Sequence, residues 1–126
     1  MTNAIDEIKN WHLFREKFGE YLMHDAVIKR FDLNRDELTI VVNTFYKMDD
    51  DKVYDVTLKF SNLVSLEYDS EFGSDYIYEL YVEKNDNNMN LYEVTFDVVC
   101  IVIKCFDIEL ISIEESEPFQ RTAIPL

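Results

Sequence analysis

Histidines and cysteines, the side chains best suited to acid–base, nucleophilic or metal chemistry near neutral pH, are few in this chain. Its 126 residues hold two histidines, His12 and His24, and two cysteines, Cys100 and Cys105. Gly19 and Gly73 are the only glycines, so no phosphate-cradling glycine loop can form, and no Gly-x-Ser-x-Gly nucleophile elbow occurs. His24-Asp25 superficially matches the doublet of metal-dependent phosphohydrolases, but such a site needs several further histidines and only His12 remains. A Cys–His nucleophile pair is disfavoured, because both cysteines lie in an apolar stretch that raises a thiol pKa. Their odd spacing puts them on opposite faces of one continuous strand, which argues against a disulfide and for reduced core thiols. Asp86, Asn88, Asn90 and Asp97 mimic a calcium loop, yet its sixth position is Leu91 where Gly is needed, and its twelfth is not Glu. A polar hairpin turn explains those residues better. The sequence therefore assigns no catalytic residue, no cofactor and no metal, and reads as a non-enzyme.

Charge is the stronger signal. Twenty-six acidic residues against 12 basic ones leave a formal net charge of −14. An excess of this size favours solubility and attracts basic partners. It argues against direct binding to nucleic acid or anionic membranes, where Lys and Arg must meet phosphates. The carboxylates are dispersed. Asp49, Asp50 and Asp51 form one cluster, and Glu114, Glu115 and Glu117 another. Glu67, Asp69, Glu71, Asp75, Glu79 and Glu83 flank or line two neighbouring strands. Along 75–84, Glu79, Tyr81 and Glu83 fall on one face, with Tyr78 and Leu80 on the other. An exposed Tyr among carboxylates suits a Lys/Arg-rich partner: the ring supplies rigid contact area and the charges steer association. Asp75, Glu79, Tyr81 and Glu83 are the candidate partner-binding residues.

The elements that must position them follow from periodicity. The first 23 residues read as helix over 3–23, capped by Asn3, with Ile5, Ile8, His12, Phe14, Phe18, Tyr21 and Leu22 at helical spacing and Gly19 able to end it. From Ala26 the period becomes two. Strands are predicted at 26–33, 37–45, 53–60, 63–68, 76–83, 91–98, 99–105 and 107–113, separated by Asn- and Asp-rich turns. The tail from 114 carries Pro118 and Pro125 and reads as irregular. The expected fold is a single α+β domain, an N-terminal helix packed with a mainly antiparallel sheet of about seven strands. No run approaches the roughly 18 apolar residues of a membrane span, and the acidic N-terminus lacks a signal-peptide core. A cytoplasmic protein is expected.

The order of residues also carries a resemblance. Tyr21-Leu22-Met23-His24-Asp25-Ala26-Val27-Ile28 follows a segment bearing Trp11, Phe14 and Phe18. It precedes Phe31-Asp32-Leu33 and Leu38-Thr39-Ile40-Val41-Val42. With Val56-Thr57-Leu58-Lys59-Phe60 and Val64-Ser65-Leu66, this resembles bacterial polymorphic-toxin immunity proteins, in particular the immunity protein 50 family, over the first 70 or so residues. There an aromatic-rich helix runs into a His-Asp-[Ala/Ser] motif and then β-hairpins. The resemblance implies an antitoxin that binds and blocks a cognate protein toxin, and it assigns no catalysis to His24 or Asp25. Bottom-up, that doublet sits where helix passes to strand and satisfies local backbone groups. The rival reading is a small ligand-binding or enzymatic β-rich domain with a pocket near His24 and Asp25. A third is a scaffolding module that dimerises through an exposed strand.

Overall fold

A computed structural model describes residues 4–20, 23, 26–45, 52–68, 76–77, 79–85, 87, 90–97 and 101–117. It is an α+β fold: a 3-10 turn at Ile5–Glu7, one helix α1 (Trp11–Phe18), and a single antiparallel sheet. The strands are β1 (Ala26–Asn34), β2 (Glu37–Phe45), β3 (Val53–Tyr68), β4 (Tyr76–Ile77), β5 (Leu80–Lys84), β6 (Tyr92–Phe96) and β7 (Ile101–Ser116). Six of these span five residues or more, and β4 is a two-residue strand.

The expected helix over 3–23 is replaced by a short turn and an eight-residue helix. The reason is a backbone commitment at Lys9. Its N–H donates to the Ile108 carbonyl at 2.9 Å, and its carbonyl accepts from the Leu110 N–H at 2.8 Å. That pairing needs extended chain, so Ile8 is extended and Asn10 turns the chain through the left-handed region at φ 70°. Gly19, also at positive φ, closes α1 by donating its N–H to Arg15. Trp11, Phe14 and Phe18 form the buried stripe, while His12 is exposed. The Trp11 and Phe14 rings stack at 4.2 Å, and Phe18 meets Tyr54 of β3 edge-on at 5.6 Å. The proposed cap Asn3 lies outside the described residues.

The expected strands 63–68, 99–105 and 107–113 and the irregular tail are corrected in a second way. β3 and β7 are each 16 residues long, and β7 runs on to Ser116, opposite Val53. The long ladder accommodates its bend with bulges rather than breaks. Val64 and Ile111 each lack a partner in the register, and both are exposed aliphatics. Asn62 adopts φ 55°, which its short polar side chain tolerates. Bulges switch the alternation of faces, so the period-two reading loses phase at those points.

Sheet order is β4-β1-β2-β3-β7-β6-β5. The two edge strands are consecutive in sequence. From Ile77 to Leu80 there are three Cα steps, which reach at most about 11 Å. One chain segment therefore serves both edges, and the sheet curls until they are neighbours. This is why the expected strand 76–83 appears as two pieces. The concave face carries the core: Leu38, Ile40 and Val42 lie opposite Phe60, Leu58 and Val56, all fully buried. Leu80, Val82, Val94, Phe96, Ile101 and Ile103 extend it across β5, β6 and β7.

Candidate interaction surface

Register places the predicted residues. In β5, Leu80 and Val82 are buried, and Tyr81 between them is 37% exposed. Tyr81 pairs with Thr95, Thr95 with Val102, and Val102 with Glu67, so these four form one row across the convex face. The next row is Glu83, Glu93, Lys104 and Ser65. Glu79 precedes the first row, and its carbonyl accepts the Asp97 N–H at 3.0 Å, drawing Asp97 to the same end.

The arrangement gives Tyr81, Thr95 and Val102 a rim of Glu67, Glu79, Glu83, Glu93 and Asp97 against one cation, Lys104. Glu83 and Glu93 sit directly opposite each other. Like charges in that relation destabilise a sheet, a cost that Lys104, across from Glu93 on its other side, offsets only in part because Glu83 has no cation opposite it. Alternation in the sequence located Glu79, Tyr81 and Glu83. The contributions of Glu67, Glu93 and Asp97 depend on long-range register, for which the sequence holds no signal. Asp75, His24 and Asp25 lie outside the described residues, as do Cys100 and the Asp49–Asp51 cluster. The rival pocket near His24 and Asp25 falls on residues outside the described ones. Glu114 and Glu115 belong instead to the end of β7, beyond Ile113, and Glu117 follows the strand.

Other polar groups serve the scaffold. The Asp55 carboxylate accepts hydrogen bonds from Lys29 at 2.6 Å and Asn43 at 2.8 Å. Asn43 also donates to the Glu117 carbonyl at 3.1 Å, holding the end of β7 against β2. Burial works to raise the Asp55 pKa, but the bonds from Lys29, Asn43 and Ser116 outweigh it and hold the carboxyl below its ordinary range. Burial pushes the Cys105 thiol up to about 12, so it is a core thiol rather than a nucleophile. Glu7 ties the N-terminal turn to the β5–β6 end, receiving Lys84 at 2.5 Å and the Tyr92 hydroxyl at 3.3 Å. The calcium-loop mimic is a hairpin connection: Asn85 donates its N–H to the Leu91 carbonyl and accepts from the Asn87 N–H. No group of three or more His, Cys, Asp or Glu side chains among the described residues has metal-binding geometry. No described helix is long and apolar enough to cross a membrane.

No family model and no curated protein matches the chain. A crystal structure of an uncharacterized protein from Neisseria gonorrhoeae is similar, with a TM-score of 0.47 and 18% identity. The match covers 69% of this chain and 90% of that one.

Proposed function

We propose that this chain is a non-enzymatic immunity protein of the cytoplasm that binds and neutralises a cognate basic protein toxin. The observation that carries this reading is the convex face of β5, β6, β7 and β3. There an exposed Tyr81 lies beside a directly opposed Glu83–Glu93 pair. Opposed carboxylates cost the free protein stability, and a cationic partner removes that cost on binding. Toxins acting on nucleic acid carry positive grooves, and an acidic, aromatic plug is complementary to them. The net charge of −14 supplies the long-range attraction.

The test starts from the neighbouring gene. The purified chain is mixed with the toxic domain encoded beside it, and complex formation and toxicity are measured. The reading expects a stable complex and loss of toxicity. A partner that binds with no loss of toxicity, or no binding at all, would sink it.

A further inference from the structure

β7 loses its neighbour for a short stretch on one side. Up to Cys105 it pairs with β6, ending at Tyr92, and at Ile108–Leu110 the chain at Lys9 takes over that edge. Between them, at Phe106 and Asp107, lies a pocket of about 400 Å³. This size is within the range of small-ligand sites. Its lining includes Glu7, Tyr92, Phe106, Asp107 and Glu109, and the Asp107 carboxylate accepts from the Asn62 amide through one oxygen, Oδ2. Asp107 and Glu109 are two apart on β7, with the buried Ile108 between them, so both face outward. Phe106 is 36% exposed.

We infer that this notch receives one arginine side chain of the basic partner, an inference that rests on the binding reading above. Two rings beside carboxylates make a guanidinium site, since the planar cation stacks on an aromatic face while donating in a fork to oxygen. The wall already shows that preference. The chain's own Lys84 ammonium lies 2.5 Å from Glu7 and 5.9 Å from the Tyr92 ring centroid. The two lysines of the pocket leave room for a second cation. Lys59 is turned to Glu37 at 3.1 Å. Lys9 meets Glu109 only at 3.8 Å with its side chain 72% exposed, a contact easily given up. Position fits as well. Along β7, Asp107 is five residues from Val102 of the Tyr81 row, roughly 17 Å in extended chain. One interface of standard size covers both.

Blocked arginine (N-acetyl-arginine amide) titrated into the full chain, followed by amide chemical shifts, tests this. Blocked citrulline, blocked lysine and inorganic phosphate are run beside it. Arginine is expected to shift Tyr92 and residues 106–109, with citrulline about tenfold weaker because it lacks the charge. Glu109→Gln should weaken arginine several-fold, and Asp107→Asn with Glu109→Gln should abolish it. Arginine no tighter than citrulline, shifts centred elsewhere, or phosphate binding in its place would each overturn the inference. Tyr81→Ala separates the two claims, since it should leave the arginine titration unchanged. A chain that binds toxin but not arginine loses the notch and keeps the binding reading. One that binds arginine but no toxin does the reverse.

Discussion

Two residues show how environment decides what a side chain does. Asp55 is partly buried, yet three donors keep it ionised and its folded pKa below the unfolded value. The stability it confers is therefore fully present above the unfolded carboxyl pKa, and is lost as pH falls through the lower folded value. Asp55→Asn should cost about 2 kcal/mol at pH 7, the scale of hydrogen bonds to a charged group. It should cost much less at pH 2–3, where the wild-type carboxyl is itself being protonated. Urea midpoints for both proteins across that range check this, and an equal loss at both ends would contradict it. Cys105 is the opposite case, a thiol whose burial suppresses the thiolate and pushes its pKa to about 12. It should resist alkylation at pH 8 in the folded chain and react only on unfolding. Peptide mapping separates its labelling from that of Cys100. Rapid labelling of native Cys105 would contradict the structural assignment.

At the scale of elements, pairing rather than propensity sets what forms. The face carrying Tyr81 was legible because β5 alternates cleanly, Leu80 and Val82 inward and Tyr81 outward. The opposed Glu83–Glu93 pair was not, because register between strands is a tertiary property. Glu83→Gln should raise stability by about 0.2–1 kcal/mol by relieving that opposition, since Glu83 faces only Glu93 whereas Glu93 also has Lys104 across from it, and it should also slow association with the proposed toxin. Thermal melts and stopped-flow mixing measure the two effects. A Glu83→Gln chain that is less stable, or that associates faster, would count against the placement. The helix failed for a related reason. Ile5, Ile8, Phe14 and Phe18 are all buried as their spacing suggested. However, the same spacing cannot reveal that Lys9 is claimed by β7. The breaks read at 61–62 and 106 fall where Asn62 takes φ 55° and the inward face changes phase, from Phe60 to Leu63 and from Cys105 to Ile108, so continuous strands looked broken. The α+β class was readable despite these errors, because a single apolar face per element suffices to specify it.

At the scale of the whole molecule, strand pairing turns a dispersed acidity into a local one. β5 and β3 are distant in sequence, but β6 and β7 join them across one convex face. Glu67 and Glu83 come to flank the same strip. A net charge of −14 attracts a basic partner from any direction, whereas on the proposed reading this face determines where the encounter complex matures. The two effects separate by experiment. The association rate should fall steeply as salt rises from about 0.01 to 0.15 M, because the Debye length shrinks from roughly 30 to 8 Å. Dissociation should change little. Removing three charges from the face, Glu67→Gln with Glu83→Gln and Glu93→Gln, should flatten the salt dependence and weaken the complex. Removing charge at the end of β7, Glu114→Gln with Glu115→Gln, should lower the rate only slightly, by the general loss of charge. Adding Tyr81→Ala to the face variant should act mainly on dissociation, costing about 2 kcal/mol if the ring is an anchor. If the β7-end variant loses as much as the face variant per charge removed, the attraction is global and the partner docks elsewhere. If the face variant alone loses it, the pairing of β3, β7, β6 and β5 has gathered the acidity into one docking surface.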